Sequence, residues 1–168
     1  MDNNILTLTY TLPCGILLLG DFGGRLCLAD WPGHRATARV CRMLGAVLRP
    51  GLTPLLAEAA ASLDAYIRGD CHIIEGLPLL MPGTELQRAV WDELRRIPCG
   101  GTVAYGELAS RVGRPRAVRA VASAVGANAL SLFVPCHRVV AATGLGGYAG
   151  GLAAKRWLLS AEKQPAGK

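Results

Sequence analysis

The nine residues EGLPLLMPG, positions 75 to 83, divide the chain into two stretches whose apolar residues recur differently. Two prolines and two glycines in so short a run stop any regular element, so the chain must be assembled from pieces on either side. The piece ahead opens with ILTLTYTL (5 to 12), where Leu6, Leu8, Tyr10 and Leu12 alternate with Thr7, Thr9 and Thr11. A period of two sends the two sets to opposite faces of a strand. ILLLG, DFGG and RLCLAD then read as strand, turn and strand, which predicts an antiparallel meander. Two helices follow. The first covers about 35 to 48; the second is opened by Thr53 and Pro54, shows Leu56, Ala59, Ala60, Leu63 and Ile67 on one face, and meets Gly69 at its end.

Behind the divider the pattern is that of short helices. Thr84 and Gln87 form a capping box ahead of Leu86, Ala89, Val90, Leu94 and Ile97, a helical stripe that ends at IPCGG. Tyr105 to Val112 make a short helix stopped by Gly113, and Pro115 stands at the first position of another that runs to about Gly126. Two helices across a tight glycine-containing turn are the helix-turn-helix pattern. Its second helix is a poor reader of base edges, because Ala117, Val118, Ala120, Val121, Ala122, Ser123, Ala124 and Val125 offer almost no groups for a major groove. Small side chains instead allow close backbone approach, which suits a minor groove and sequence-independent contact, with Arg119 the one long polar residue in the middle. About half of these alanines and valines must serve simply as core.

Charge is divided in the same place. Residues 1 to 80 carry six arginines against seven acids, and residues 81 to 168 carry nine arginines and three lysines against five, so the excess of +6 lies entirely in the second stretch. No acid occurs from 108 to 161, an interval holding Arg111, Arg114, Arg116, Arg119, Arg138, Lys155 and Arg156. Such a run fits a polyanionic partner, since the guanidinium fork binds phosphate bidentately; a merely soluble basic surface is the alternative. At 168 residues with 51% hydrophobic content the chain can bury a real core. Its N-terminus has acid rather than basic residues ahead of an interrupted apolar run, which is no signal peptide, and no stretch approaches a membrane span. The six cysteines, at no regular spacing, are therefore expected as reduced thiols in the cytoplasm.

One of those cysteines stands in LFVPCHRVVAATG (132 to 144). Cys136 and His137 are adjacent, and on an extended segment neighbours face opposite ways, so any coupling between them needs a bridging water. The scattered cysteines and histidines give no recognisable zinc set, and no metal is expected. Pro135 suits a chain leaving a regular ladder at a pocket, and GLGGYAGG (144 to 151) supplies a loop to line it before the helix LAAKRWLLSAE.

VPCHRV, with NALSLF ahead of it, YAGGLAAKRWLLSAE behind it and VAYGELASRVGRPRAVRAV upstream, closely resembles the O6-alkylguanine-DNA alkyltransferases, also called methylated-DNA-protein-cysteine methyltransferases. The likeness is strong from about 83 to 162 and rests ahead of that only on length and strand-then-helix order. It implies an α+β chain: a small ribonuclease-H-like α/β domain over 1–78, and a mainly helical domain over 79–168 carrying a winged helix-turn-helix. It also implies the chemistry. Cys136 would take the alkyl group from O6 of guanine, and from O4 of thymine, irreversibly and without a cofactor. His137 would relay the thiol proton through water, with Glu162 orienting the imidazole and Asn128 holding the preceding turn. Tyr105, Tyr148, Ala149 and the backbone of Val139 would receive the base. Arg119 would fill the gap left by a nucleotide flipped through the minor groove, beside contacts from Arg114, Arg116, Ala120 and Ser123. The partner would be double-stranded DNA containing O6-alkylguanine, bound by a protein monomeric in solution and free of membranes.

Three residues depart from the usual pattern of these proteins. Ala129 follows Asn128 where proline is usual, Ala149 stands where serine or glycine is common, and Leu86 replaces a phenylalanine. None removes a reactive group. Two rival readings remain. A helix-turn-helix regulator calls for polar readers on the second helix, and a Cys-His hydrolase calls for a nonadjacent histidine and turnover.

Overall fold

The computed structural model describes residues 2–72 and 74–163. Strands β1 (Asn4–Leu12), β2 (Gly15–Phe22) and β3 (Arg25–Asp30) form the expected meander, with Thr9 opposite Leu18 and Leu19 opposite Ala29. Alternation on β1 does what a period of two requires. Leu6, Leu8, Tyr10 and Leu12 pack toward the main core, while Ile5 turns to a smaller cluster on the other face.

A helix covers each face. Helix α1 (Arg35–Leu44) buries Ala36 and Val40 against Ile5, Cys27 and Leu28. Helix α2 (Pro54–Ile67) lays Leu56, Ala59, Leu63 and Tyr66 on the main core. Thr53 caps it as expected, its hydroxyl accepting from the Leu56 N–H at 3.1 Å, and Pro54 takes the first turn, where its missing N–H costs nothing. Fully burying side chains such as Leu56 and Leu63 contributes about 1.5–3 kcal/mol each.

Helix α1 ends four residues earlier than its apolar pattern predicts. Gly45 takes a left-handed conformation (φ 60°), returns its N–H to the Arg42 carbonyl, and turns the chain into strand β4 (Val47–Pro50), which pairs in parallel with β1. Every residue of β4 is exposed, so it carries no alternation to betray it. The sheet order is β3-β2-β1-β4.

The run EGLPLLMPG is no free tether. Leu26 of β3 donates to the Pro78 carbonyl at 2.8 Å and accepts from the Leu80 N–H at 2.9 Å, so the run lies along the open edge of the sheet. Further along the same edge, Ala29 donates to Ala129 and accepts from Ser131, both at 2.8 Å. Ladder groups that would otherwise face water are thus satisfied by the second half of the chain. One hydrophobic core runs from Leu12 and Leu63 through Trp91 and Val121 to Leu158.

Past that edge, α3 (Glu85–Leu94) begins with the expected capping box, Thr84 and Gln87 bonding each other's backbone at 2.9 and 3.2 Å. Its buried face holds Val90, Trp91 and Leu94; Ala89 is exposed, and Trp91 fills the place in the stripe, donating to the Ala124 carbonyl at 2.9 Å. Strand β5 (Val103–Ala104) pairs in parallel with β6 (Val139–Val140). Helix α4 (Tyr105–Arg111) stops before Gly113, and α5 (Val118–Gly126) starts three residues later than Pro115, which sits in the turn instead. Helix α6 (Leu152–Glu162) closes the described chain.

The expectation of reduced cysteines needs correction at one pair. Cys71, past the end of α2, and Cys99, in the loop after α3, are joined in a disulfide with their Cα atoms 6.1 Å apart, ordinary spacing for such a bond. Sequence spacing hid the pair because 28 residues separate them. Cys14, Cys27, Cys41 and Cys136 are free thiols. Among the described residues no helix is long and apolar enough to cross a membrane.

Candidate active site

The chain reaches Cys136 through a tight turn. Asn128 holds it at both ends, its side-chain amide donating to the Val134 carbonyl at 2.8 Å and its oxygen accepting from the Leu130 N–H at 2.9 Å. Inside the turn Leu132 is fully buried in a left-handed conformation (φ 72°), a position that costs about 1–3 kcal/mol and is kept because its surroundings over-determine it. Pro135 then ends the pairing, and Cys136 to Arg138 form a single 3-10 turn rather than the extended segment expected. No hydrogen bond joins the Cys136 and His137 side chains among the described residues. The imidazole bonds through Nε2 to Glu162 of α6.

Glu162 is the hub of a buried cluster. One carboxylate oxygen accepts from His137 Nε2 at 2.6 Å, Tyr66 Oη at 2.9 Å and Arg138 Nη2 at 2.9 Å; the other accepts from Arg138 Nε at 3.0 Å and the Gly100 N–H at 3.3 Å. Burial alone would push this carboxyl up, but the hydrogen bonds from His137 and Arg138 reverse the effect and hold it well below the usual carboxylate range. Glu162 is therefore ionised. Burial holds the His137 pKa below its ordinary value despite the carboxylate, so the ring is neutral at pH 7. A neutral ring has one N–H, and facing a carboxylate it must be Nε2–H. Nδ1 is then a bare lone pair, and it has no hydrogen-bond partner among the described residues. Burial also raises the Cys136 thiol, although Asn128 and Lys155 partly offset it, so the resting sulfur is protonated.

A cavity of about 320 Å³ opens over the thiol, within the range of small-molecule sites. Cys136, Asn128, Tyr105, Val125, Tyr148 and Ala149 line it. Val139 is buried and does not line it; its carbonyl accepts from Lys155 Nζ at 2.6 Å. The same ammonium donates to the carbonyls of Leu145 (2.5 Å) and Gly147 (3.1 Å), and so ties the glycine loop to β6. Tyr148 stands edge-on to two rings, His137 at 6.4 Å and Trp31 at 5.7 Å between centroids. Trp31 comes from the end of β3. It presses on Gly150 so closely that any Cβ there would fall 2.5 Å from the indole, so only glycine fits.

Three contributors have no local signal in the sequence: Tyr66, Trp31 and His34. His34, which also lines the cavity, is bonded through Nδ1 to Asp30 at 2.7 Å and through Nε2 to the Gly126 carbonyl at 2.8 Å, and its Asp30 bond raises its pKa. Lys155 did leave a signal. It shares a buried helical stripe with Ala154, Leu158 and Glu162, where a lysine must find acceptors inside.

The basic run in the sequence divides accordingly. Arg138 and Lys155 are buried and spent on internal acceptors, and Arg111 is paired with Glu107 at 2.6 Å, so they do not add to a surface charge as the sequence suggested. Arg114, Arg116 and Arg119 are exposed, with no carboxylate partner among the described residues. Ala120 and Ser123 share the exposed face of α5 with Arg119, while Val121, Ala124 and Val125 are buried.

Residues 85–164 match the family model described as 6-O-methylguanine DNA methyltransferase, DNA binding domain. A methylated-DNA-protein-cysteine methyltransferase of Shigella flexneri is 50% identical over 101 residues, 60% of this chain and 59% of that protein; the chain thus spans about three fifths of the length of that relative. A probable methylated-DNA-protein-cysteine methyltransferase of Acanthamoeba polyphaga mimivirus is 45% identical over 64% of this chain and 72% of its own length. Among solved structures, Mycobacterium tuberculosis OGT in complex with DNA superposes with a TM-score of 0.77 at 35% identity, covering 97% of this chain and 96% of that one. Similarity over nearly the whole fold, at this identity and with the Cys136 turn built as described, places the chain in the methylated-DNA-protein-cysteine methyltransferase family.

Proposed function

We propose that this protein repairs alkylated double-stranded DNA by moving the alkyl group from O6 of guanine to Cys136 Sγ, once per molecule. The observation that carries the reading is His137 bonded through Nε2 to Glu162 with Nδ1 left without a partner, next in the chain to a buried thiol that lines a cavity large enough for a base. As the base enters, the Cys136 proton passes through a bridging water to Nδ1, and the imidazolium that forms is balanced by the Glu162 carboxylate. Sulfur attacks the alkyl carbon in line, the S–C bond forms as the C–O6 bond breaks, and the electron pair leaves on the guanine. Tyr105, which lines the cavity, donates a proton to the departing base. The product is a thioether, which no group in the cavity is equipped to cleave. No cofactor takes part.

O6 lies on an edge of a stacked base, where a thiol at a pocket floor cannot align behind the carbon, so the nucleotide must leave the duplex. Arg119 enters the gap from the minor-groove side, Ala120 and Ser123 let α5 approach closely, and Arg114 and Arg116 hold phosphates. Tyr148 and Ala149 receive the base, the Val139 carbonyl being taken by Lys155, and the O4-alkyl group of thymine is a second substrate of the same geometry. The ribonuclease-H-like sheet and helices of 1–78, and a winged helix-turn-helix unit in 79–168, are the domain division that goes with this reading, in a cytoplasmic monomer.

Intact-mass spectrometry after incubation with excess O6-methylguanine duplex tests it. The expected result is one added methyl group, mapped to Cys136 and lost in Cys136→Ser. Continued product release well past one equivalent means a hydrolase; duplex binding with no mass change means a regulator.

A further inference from the structure

Helix α1 carries Arg35, Arg39 and Arg42, spaced four and three residues apart and so on one face. That face borders a groove of about 710 Å³ that is also lined by the C-terminal end of α5, with Ser123 and Gly126, and by Ala127 just past it. His34, Gly126 and Ala149 line both this groove and the Cys136 cavity, so the two are continuous. No acidic side chain lines the groove. Asp30, the nearby carboxylate, is fully buried and occupied by His34, Thr37 and the Trp31 N–H.

The three arginines have different employment. Arg39 is half-buried and spent: it donates to the carbonyls of Pro82 (2.6 Å) and Ala127 (3.0 Å) and lies over the Trp91 ring, fixing α1 to the end of α5. Arg35 and Arg42 are exposed and have no side-chain partner among the described residues. They stand seven residues apart, about 10 Å along the helix, which matches the axial rise of roughly three base steps on one strand.

We propose that this groove takes the sugar-phosphate backbone of the DNA strand running away from the Cys136 cavity, with Arg35 and Arg42 as its phosphate contacts. The proposal rests on the DNA-repair reading above, since the exposed face of α5 leads into the groove through Ser123 and Gly126. It gives the first half of the chain a direct part in binding: α1 extends the grip of α5 past the flipped nucleotide, and Arg39 sets the spacing between the two helices.

Fluorescence anisotropy with a labelled unmodified duplex, over a series of salt concentrations, tests it without requiring any alkyl transfer. Arg35→Ala/Arg42→Ala is expected to weaken binding about tenfold at moderate salt and to flatten the slope of log affinity against log salt by about 1.8, two contacts at about 0.9 each. Arg25→Ala/Arg49→Ala removes the same charge from exposed arginines outside the groove and should change the slope by less than half as much. Arg35→Lys/Arg42→Lys should retain the wild-type slope. Equal changes in the two alanine pairs, an unchanged slope in the first, or a lysine pair as weak as the alanine pair would each overturn the proposal. A wild type that binds duplex but never alkylates Cys136 would fail the repair reading and leave the groove standing.

Discussion

Arg138 and Lys155 lie in the same acid-free run of sequence as Arg114, Arg116 and Arg119, yet the two sets meet opposite surroundings. The first set is buried, and each cation is matched to acceptors that the fold supplies: Glu162 and the Ile97 carbonyl for Arg138, the Val139 carbonyl of β6 and two loop carbonyls for Lys155. The second is solvated, with its charge available to a partner. Basicity in a sequence is thus two quantities. One builds a low-dielectric pocket in which a histidine stays neutral beside a carboxylate; the other leaves charge on the surface, where the proposed duplex would meet it.

The largest effect expected from this contrast is on stability. Arg138→Met leaves the buried Glu162 without its strongest pairing and should cost about 3–5 kcal/mol, a fall in Tm on the order of 10 °C. Arg114→Ala, on the surface, should stay within about 0.5 kcal/mol. Similar losses from both would break the distinction. The Glu162 carboxyl titrates lower in the folded chain than in the unfolded one, so its contribution is whole above the ordinary carboxyl range, near about pH 4.3, and is lost as pH falls through the folded value. Calorimetry should show acid destabilisation that is weaker in Glu162→Gln.

A smaller effect is expected at Arg119. If it supports the extrahelical nucleotide, Arg119→Ala should lower the rate on duplex DNA relative to the rate on free O6-benzylguanine, by up to a few kcal/mol, the scale of unstacking. An equal drop on both substrates would assign the residue to the pocket or the fold. Least affected should be the rates of Arg114→Ala and Arg116→Ala at saturating DNA. Their signature is weaker binding and a salt slope shallower by about 0.9 for each phosphate lost.

How much of this could be read from the sequence follows the distance over which each feature is encoded. The meander, the Thr53 and Thr84 caps and the helix stop at Gly113 are fixed by residues within a few positions, and they stand where the pattern puts them. Strand β4 was illegible because four exposed residues at a sheet edge have no alternation, and Gly45 ends α1 by its own conformation rather than by any break in apolar spacing. At the site, Cys136, His137, Asn128 and Glu162 stood out through family resemblance, which also implied the orienting role of Glu162. Tyr66, Trp31 and His34 reach the same site from the other half of the chain, by sheet pairing at the β3 edge that leaves no local trace. The disulfide from Cys71 to Cys99 is nonlocal for the same reason.

In the proposed reaction a buried charge cluster makes His137 the base for a thiol that burial keeps protonated at rest. The rate of methyl transfer against pH, compared between the wild type and His137→Ala at saturating duplex, measures this directly. The expected loss at neutral pH is about a hundredfold or more, the usual share of a general base, with the variant gaining close to tenfold per pH unit on the alkaline side while the wild type stays nearly flat. Equal rates and parallel profiles would contradict it, and would mean that the Cys136 thiol loses its proton without His137.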